Sequence, residues 1–437
     1  MKILYVVHQY FPDCFSGTEQ YCLATTREAR RRGVDCGVLS LVPDGSRDRP
    51  PLRVVDEPYD GTPVLRLRHW AGLLPNDVLR DYRNPLVAAA FRDVLREVRP
   101  TVVHFFHLRN LGADLIRVAR EEGARTVVHL MDFWYLCIRF TLLRSDGSLC
   151  DGPPEGGLGC VRCHAPELDG IFDDAAFAPT VRDLAQAAGV AGLAARRSER
   201  FAALVQRHGA LLERLVEADA IVAPSRFLAE VFARNGLPRE RIEVVPYGIE
   251  SGLVQRSDVP RPRDPIRIAF AGVLSPWKSP HVAVDALRKT RSDRVRLTVH
   301  GRLEESMFAE YIADLRRRAG EDPRIVFAGA FDRARVSAVM AETDLLIVPS
   351  TWYENTPFVM LEAFAAGLPV AASDLGGMAE LIRPGVNGFV FPAGDSDALA
   401  ALIESLAREP ERLAALRPAA PPSIADDFDR FTALYAG

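Results

Sequence analysis

Glu354 and Glu362 lie eight positions apart, and their surroundings predict two contacts to one extended ligand. The residues from Pro357 onward are typical of a helix, in which Glu362 stands about 7–8 Å along the axis from Pro357. Glu354 stays in the loop before that helix, so the two carboxylates cannot act as acid and base on one bond. Glu362 also falls among apolar residues, where an unpaired carboxylate is costly. The alternative interpretation is one solvated glutamate and one glutamate that caps a helix.

The residues on either side predict an anion-binding turn. An apolar strand is predicted at 345–348, Thr356 is a suitable helix N-cap, and Pro357 fits the first helical turn because it has no N–H to satisfy. Gly367 predicts the end of the helix. A strand, a loop and the start of a capped helix together present backbone N–H groups to an anion.

The bulk composition excludes several classes of protein. The 437 residues carry a net charge of −4, with 26% charged and 48% hydrophobic residues, which describes a soluble globular protein of two domains and no nucleic-acid partner. No apolar run approaches the ~18 residues of a membrane span, and the first residues predict a strand rather than a signal peptide. We therefore expect a cytoplasmic protein. Its only lysines are Lys2, Lys278 and Lys289.

Apolar runs alternate with helical stretches along both halves of the chain. This predicts an α/β protein with two Rossmann-like, doubly wound parallel-sheet domains. Ligands of such sheets lie at the carboxyl ends of the strands, so we expect the domains to face each other across a cleft that binds ligand. The predicted strands are 3–7, 34–39, 64–67, 102–106, 126–130, 220–223, 266–271, 296–299, 325–328, 345–348 and 369–372.

Domain boundaries follow from composition. The proline-rich stretch 258–265 predicts a linker near the junction of the two halves. We expect a first domain at 1–255, interrupted at about 137–217 by a cysteine-rich and helical insertion. A second domain should cover 256–422, and 423–437 should form a helix that packs back on the first domain.

This combination of features resembles the retaining glycosyltransferases of family 4, which have the GT-B fold. The resemblance covers nearly the whole chain and is strongest at 325–399, where it includes Glu354, Glu362 and the Gly376-Gly377 pair. It implies transfer of a sugar from a nucleotide-diphosphate sugar to an acceptor hydroxyl, with retention at the anomeric carbon. The first domain would bind the acceptor and the second the nucleotide sugar.

The resemblance also implies residue roles. Glu354 would contact the transferred sugar and Lys278 the departing diphosphate, which makes these two the expected catalytic residues, and Glu362 would bind the ribose. Backbone N–H groups at the helix starts near Phe358 and Gly377 would hold the diphosphate, and no catalytic metal is expected. Further nucleotide-sugar contacts are expected from Gly17, Gly272, Thr356, Pro357, Phe358 and Val359, and acceptor contacts from His8, Ser16, His107 and Asp132.

Two loops depart from the family's pattern. Val273 follows Gly272 where the family carries an arginine, and Arg302 is the candidate replacement for that cation. The first-domain loop is Ser16-Gly17-Thr18-Glu19 rather than Gly-Gly-x-Glu, although Gly17 still lets the backbone approach a phosphate.

A third departure concerns histidine. Met131 precedes Asp132 where the family often has a histidine, and His129 lies two positions before Met131. A lone histidine at a strand end is more often structural than a ligand contact, and this alternative applies to His8, His104 and His107.

Four of the seven cysteines fall in one segment rich in glycine and proline: Cys137, Cys150, Cys160 and Cys163. Cys160 and Cys163 have the spacing of half a tetrahedral zinc site, and the segment has too few apolar residues to build a core. We therefore expect a structural Zn²⁺ ion. The alternative is a set of reduced, unliganded cysteines.

The predicted helix at 193–216 carries a row of arginines beside an apolar stripe. Such a row can dock on an anionic membrane, or its aliphatic stems can cover the edge of a core. The core interpretation is favoured, with peripheral contact at the inner membrane face as the alternative. The arginines are Arg196, Arg200, Arg207 and Arg214, and the stripe is Leu193, Phe201, Leu204, Leu211, Leu212 and Leu215.

The leading hypothesis is a glycosyltransferase that uses a nucleotide-diphosphate sugar and a glycan, a lipid-linked or a small-molecule acceptor. Two alternatives stay open. One is a sugar-nucleotide epimerase or hydrolase on the same fold, which would need no acceptor. The other is a catalytically inactive nucleotide-binding subunit, which the departures at Val273 and Met131 would explain.

Overall fold

The computed structural model describes residues 1–45, 52–70, 77–164, 193–256, 261–304 and 306–437, with positions 179 and 183, and for 193–198 it describes the backbone only. Parts of the predicted linker at 258–265 and of the predicted insertion at 137–217 lie outside these residues. The chain divides into two compact units. One is Met1–Val245 with Phe428–Gly437, and the other is Pro246–Asp427.

The first unit is built on one eight-stranded sheet with helices between its strands. Its strands are β1 (Lys2–Val7), β2 (Asp35–Pro43), β3 (Leu52–Asp56), β4 (Val64–His69), β5 (Val102–Phe105), β6 (Arg125–His129), β7 (Ala220–Ala223) and β8 (Ile242–Val244). Its helices are α1 (Gly17–Arg31), α2 (Val78–Tyr82), α3 (Pro85–Val98), α4 (Asp114–Glu121), α5 (Cys160–His164), α6 (Leu193–Glu217) and α7 (Arg226–Arg234).

The strand order of this sheet is β3-β4-β2-β1-β5-β6-β7-β8, and only β3 and β4 pair antiparallel. The central strand β1 shows why the sheet forms here, because no residue of Ile3–Val7 is more than 2% exposed. A continuous apolar run of this kind is typical of a parallel strand covered on both faces. The order reverses between β1 and β5, so the loops after these strands meet.

The second unit repeats the plan. Its strands are β9 (Ile266–Ala271), β10 (Val295–His300), β11 (Ile325–Gly329), β12 (Leu345–Val348), β13 (Val370–Ser373) and β14 (Gly388–Phe391). Its helices are α8 (Pro280–Lys289), α9 (Ala309–Ala319), α10 (Val336–Ala341), α11 (Phe358–Ala365), α12 (Gly376–Leu381), α13 (Ser396–Arg408) and α14 (Glu411–Ala414), and the last helix of the chain is α15 (Ile424–Ala436).

The second sheet has the order β11-β10-β9-β12-β13-β14, with every pair parallel. Alternate residues of its strands feed two cores, so that Ile268 and Leu345 face one and Ala269 and Leu346 face the other. This is the strand order of a Rossmann sheet, in which ligands bind where the order reverses. Here the reversal lies between β9 and β12.

The predicted α/β class with two parallel sheets is confirmed, and each predicted strand overlaps an observed one. The strands β3, β8 and β14 were not among those predicted. The antiparallel edge strand β3 leaves alternate residues exposed, and β8 and β14 have only three and four residues. None of these strands therefore shows the long apolar run that marks an inner parallel strand.

The end of the chain is helical from Ile424 to Ala436. Its Phe431 and Tyr435 are buried, and the Tyr435 hydroxyl lies 2.7 Å from Nδ1 of His104 in β5. The hydrogen bond satisfies one nitrogen of a histidine that has no access to water.

Candidate functional site

Lys278 and Glu354 lie on the two loops that follow the neighbouring strands β9 and β12. Hydrogen bonds join these loops: the backbone N–H of Thr351 donates to the carbonyl of Trp277 at 2.9 Å, and the hydroxyls of Ser279 and Thr351 are 2.7 Å apart. Topology therefore brings together two residues that are 76 positions apart in sequence.

The structure pairs these two predicted catalytic residues directly. The Lys278 ammonium lies 2.6 Å from Oε1 of Glu354, and Glu354 is only 6% exposed. Ser350 Oγ and Trp352 Nε1 donate to the same oxygen at 2.9 and 2.7 Å. A carboxylate this buried needs a cation or hydrogen-bond donors, and here it has both.

The helix after Glu354 starts one residue later than expected. Thr356 was predicted as the N-cap, but Pro357 occupies that position and the helix begins at Phe358. The Thr356 hydroxyl is buried with no hydrogen-bond partner among the described residues. Phe358 and Val359 are thus the first helical residues, and the N–H groups of such residues have no acceptor within their own helix. Their position suits an anion.

At the second expected helix start, the N–H of Gly377 is already engaged within the protein. The backbone N–H of Gly377 donates to the carbonyl of Glu354 at 2.9 Å, so this group stabilises the loop instead of a diphosphate. A Cβ at position 377 would stand 1.6 Å from the carbonyl oxygen of Asn355. The glycine is required because the loop backbone lies against it, so the Gly377 N–H itself is not available to a diphosphate.

Glu362 is buried on α11 and faces Arg333, whose guanidinium lies 3.5 Å from its carboxylate. Burial raises the pKa of Glu362 to about 7, and Arg333 partly opposes the rise. Arg333 was not among the predicted site residues. The sequence feature that could have indicated it is its position in the loop after β11, at the carboxyl edge of the sheet where ligands bind.

The other residues expected to contact the nucleotide sugar agree with the structure to different degrees. Gly272 directly follows β9, but a Cβ there would meet only the Phe270 ring at 3.6 Å, so close packing does not require glycine. Arg302, the candidate replacement for the missing arginine, is exposed in the loop after β10. Gly17 is the first residue of α1, immediately after Ser16.

The predicted acceptor residues converge at the strand reversal of the first unit. His8 follows β1, His107 follows β5, Asp132 follows β6, and Ser16 precedes α1. The rings of His8 and His107 are 4.1 Å apart, and the hydroxyl of Ser16 donates to Glu19, which lies 3.9 Å from Nδ1 of His8. Glu19, which is fully buried, belongs to this cluster but was not among the predicted site residues.

The two histidines of this cluster are used differently. His107 Nε2 lies 3.1–3.2 Å from both oxygens of Asp132, and its Nδ1 accepts the backbone N–H of Arg109 at 3.2 Å. Both of its nitrogens are therefore occupied. Burial lowers the pKa of His8 well below its usual value, with His107 and Arg109 adding to the effect. His8 is thus a neutral imidazole at pH 7.

His104 and His129 belong to the core. Both are fully buried, and their rings are stacked 5.8 Å apart, each with an edge contact to Phe431. Burial lowers the pKa of His129 to about 3, so the ring is neutral. Neither histidine takes the place of the family's histidine at Met131.

The four clustered cysteines line one cavity of about 370 Å³, which His164 also borders. All four are free thiols. Cys160 and Cys163 are one turn apart on α5, and Sγ of Cys150 lies 3.0 Å from the carbonyl oxygen of Gly152. Within the described part of the chain, no three His, Cys, Asp or Glu residues form a group that could hold a metal ion. The four thiols therefore line the same cavity, but they are not arranged as the ligands of a metal ion.

Helix α6 has the core-facing arrangement. Phe201, Leu204, Leu211 and Leu215 of the predicted stripe are buried. Arg207 is 4% exposed, lies 3.3 Å from Asp81 and donates to the carbonyl of Trp134, and Arg214 lies 3.1 Å from Asp114. Membrane docking needs a free stripe. The side chains of Leu193 and Arg196 lie outside those described.

Comparison with known proteins identifies the family. Residues 16–248 match the model of the glycosyl transferase 4-like domain, and residues 254–421 match that of glycosyl transferases group 1. The chain belongs to the glycosyl transferase 4-like family.

Curated relatives match over part of their length. A D-inositol 3-phosphate glycosyltransferase of Nocardia farcinica is 31% identical over 211 residues, which cover 43% of this chain and 46% of the relative. The amylovoran biosynthesis glycosyltransferase AmsK of Erwinia amylovora is 28% identical over 214 residues, which cover 47% and 52%. The chain thus spans about half the length of the curated relatives it matches.

Solved structures share the fold over the whole chain. Anabaena HepE in complex with UDP and glucose has a TM-score of 0.58 and 21% identity, covering 99% of this chain and 95% of that one. Sucrose-phosphate synthase from Thermosynechococcus elongatus has a TM-score of 0.62 and 18% identity, covering 99% and 94%. The fold is that of the GT-B glycosyltransferases. None of the helices described is both long and apolar enough to cross a membrane.

The raised pKa of Glu362 predicts a pH-dependent stability. Between about pH 4.5 and about pH 7 the folded protein keeps a proton on Glu362 that the unfolded chain has lost, so this residue costs stability as pH rises through that window. Glu362→Gln should therefore stabilise the ligand-free protein above pH 7, by on the order of 3 kcal/mol at most. Urea unfolding at several pH values measures the difference, with the exposed Glu409→Gln as control. A pH-independent difference between Glu362→Gln and the natural protein would contradict the assignment.

Proposed function

We propose that this protein is a retaining glycosyltransferase that moves a sugar from a nucleotide-diphosphate sugar to an acceptor hydroxyl. The observation that carries the proposal is the Lys278–Glu354 pair at the strand reversal of a Rossmann sheet, beside the start of α11. Family membership supports the reaction class. Retention rests on the resemblance to family 4.

The chemistry asks for stabilisation of a leaving diphosphate more than for a general base. Negative charge grows on the diphosphate as the bond to the sugar breaks. Lys278 and the first N–H groups of α11, at Phe358 and Val359, would stabilise that charge, and fixed donors do so without reorganising in the transition state. Glu354 would orient the donor sugar and Glu362 would accept hydrogen bonds from the ribose.

The acceptor-side proposal rests on the cluster of the first unit. Nδ1 and Nε2 of His107 are both engaged, so His107 and Asp132 are suited to hold the loop in shape. His8 is neutral and partly exposed, and it is the histidine suited to bind an acceptor hydroxyl. Ser16 and Glu19 would support it from the start of α1.

An activity screen tests the proposal. The natural protein is incubated with the UDP, GDP, ADP and dTDP conjugates of glucose and other sugars, and with glycan, lipid-linked and small-molecule acceptors. We expect nucleoside-diphosphate release that depends on an acceptor, and an NMR spectrum of the product that shows the anomeric configuration of the donor. Free sugar or an epimer formed without acceptor would indicate the epimerase or hydrolase instead. Tight nucleotide binding without turnover would indicate the inactive subunit.

A cytoplasmic location and contact with the inner membrane face are proposals taken from composition and from the resemblance. The buried stripe of α6 gives no support to membrane contact through that helix.

Replacement of Lys278 separates catalysis from binding. Lys278→Ala should lower kcat by ~10²-fold and raise the donor KM less, because the diphosphate carries more charge in the transition state than in the ground state. Steady-state kinetics measure both constants. The matched control is Lys289→Ala, since the contacts of Lys289 with Ser396 and Asp397 are exposed. A raised KM with unchanged kcat would contradict the role given to Lys278.

We also propose that Cys137, Cys150, Cys160 and Cys163 hold a structural Zn²⁺ ion. The support is their spacing and the single cavity that all four line. An ion would have to draw the thiolates inward, since they do not stand in a ligand arrangement in this structure.

Elemental analysis tests the zinc proposal. Protein purified under reducing conditions should contain about one equivalent of zinc, and the double variant Cys160→Ser, Cys163→Ser should lose it. Cys14→Ser, outside the cluster, is the control and should keep the metal. A natural protein without metal would refute the proposal.

A further inference from the structure

One of the two carboxylate oxygens of Glu354 accepts all of the hydrogen bonds described for this side chain. Its Oε1 accepts from Lys278 Nζ, Trp352 Nε1 and Ser350 Oγ, at 2.6, 2.7 and 2.9 Å. Within the described residues, Oε2 accepts no hydrogen bond. A carboxylate can accept about four hydrogen bonds over its two oxygens, so Oε2 is the oxygen left for a ligand.

Trp352 contacts both members of the ion pair. Its indole N–H donates to Glu354, and the Lys278 ammonium lies 5.6 Å from the centre of its ring. The position is fixed by its neighbours, because Thr351 is hydrogen-bonded to Trp277 and Ser279 across the two loops. Trp352 is therefore held where it can act on the lysine and on the glutamate at the same time.

A donor diphosphate would compete with Glu354 for Lys278. The ammonium has three N–H donors, and a phosphate that takes them draws the ammonium out of its 2.6 Å contact to Glu354. A carboxylate that is 6% exposed would then have lost its cation, and such a loss is strongly unfavourable unless other donors remain. Trp352 and Ser350 are those donors. Both side chains are uncharged, so a phosphate would not draw them away from Glu354 as it draws the lysine.

We infer that Trp352 is a positioning residue for sugar transfer: with Ser350 it holds Oε1 of Glu354, so that Oε2 faces a hydroxyl of the donor sugar while Lys278 moves to the diphosphate. This inference rests on the proposed function. Trp352 itself contacts neither sugar nor diphosphate in this scheme. The residue acts through Glu354, and its effect should appear in contacts to the sugar and not in contacts to the nucleotide.

Binding measurements with two probes separate those contacts. Calorimetry is first used to find which of UDP, GDP, ADP and dTDP binds the natural protein, and then to measure that nucleotide and its glucose conjugate against variants. Trp352→Phe keeps the aromatic ring and removes the N–H, Ser350→Ala removes the second donor, and Glu354→Gln is the reference for a lost carboxylate. Trp70→Phe is the matched control, because Trp70 also packs on a cation, Arg80, at 4.7 Å, but lies in the first unit.

We expect Trp352→Phe to bind the nucleoside diphosphate within about twofold of the natural protein, and to bind the glucose conjugate about tenfold more weakly, the effect of one hydrogen bond to a charged group. Ser350→Ala should change the same ratio in the same direction, and Trp70→Phe should leave it unchanged. Thermal unfolding checks that each variant is folded.

Three outcomes overturn the inference, and they differ in what else they overturn. If Trp352→Phe keeps the natural ratio of the two dissociation constants, Trp352 does not position Glu354. If it weakens both probes equally, its role is structural. If the natural protein binds none of the four nucleotides, the proposed function fails as well.

Discussion

The ion pair between Lys278 and Glu354 is the constraint around which the second unit arranges its candidate site. Two opposite charges in a site that is mostly shielded from water are stable only when their geometry is well fixed. The fixed geometry comes from the fold. The strand order places β9 beside β12, and the loops after these strands are joined by Ser279, Thr351 and the carbonyl of Trp277. Gly377 then lets the Glu354 loop lie directly on α12.

The site therefore holds charges that satisfy each other before a ligand arrives. Lys278 neutralises Glu354, and Arg333 partly offsets the burial of Glu362. A nucleotide-diphosphate sugar offers replacements for both contacts, because its phosphates can take the lysine and its hydroxyls can donate to the two carboxylates. Binding would then exchange one set of polar contacts for another, and its free energy would be the difference between the two sets.

Much of this arrangement could be predicted from the sequence, and the failures have identifiable causes. Long apolar runs predicted the inner strands, because a parallel strand is buried on both faces. The position of Lys278 and Glu354 after predicted strands placed both at the carboxyl edge of a sheet. The start of α11 was placed one position early, because both Thr356 and Pro357 are suitable at a helix start and sequence alone does not choose between them.

Other features depend on contacts between residues distant in sequence. Arg333 and Glu362 are 29 positions apart, and no local pattern joins them. The use of Gly377 as a donor to the Glu354 carbonyl depends on how two loops pack. His104 and His129 lie in strands close to His8 and His107 in the sheet, and their place in the core shows only in their burial and their contacts with Phe431 of α15.

The most direct test of the central claim uses the fact that the chain has only three lysines, Lys2, Lys278 and Lys289. In protein labelled with ¹³C at the lysine ε-carbon, NMR should show three signals, and single lysine-to-arginine changes assign them. If Lys278 exchanges Glu354 for a diphosphate, titration with the nucleoside diphosphate that binds should move the Lys278 signal and leave the other two in place. Saturable nucleotide binding with an unmoved Lys278 signal would contradict the claim.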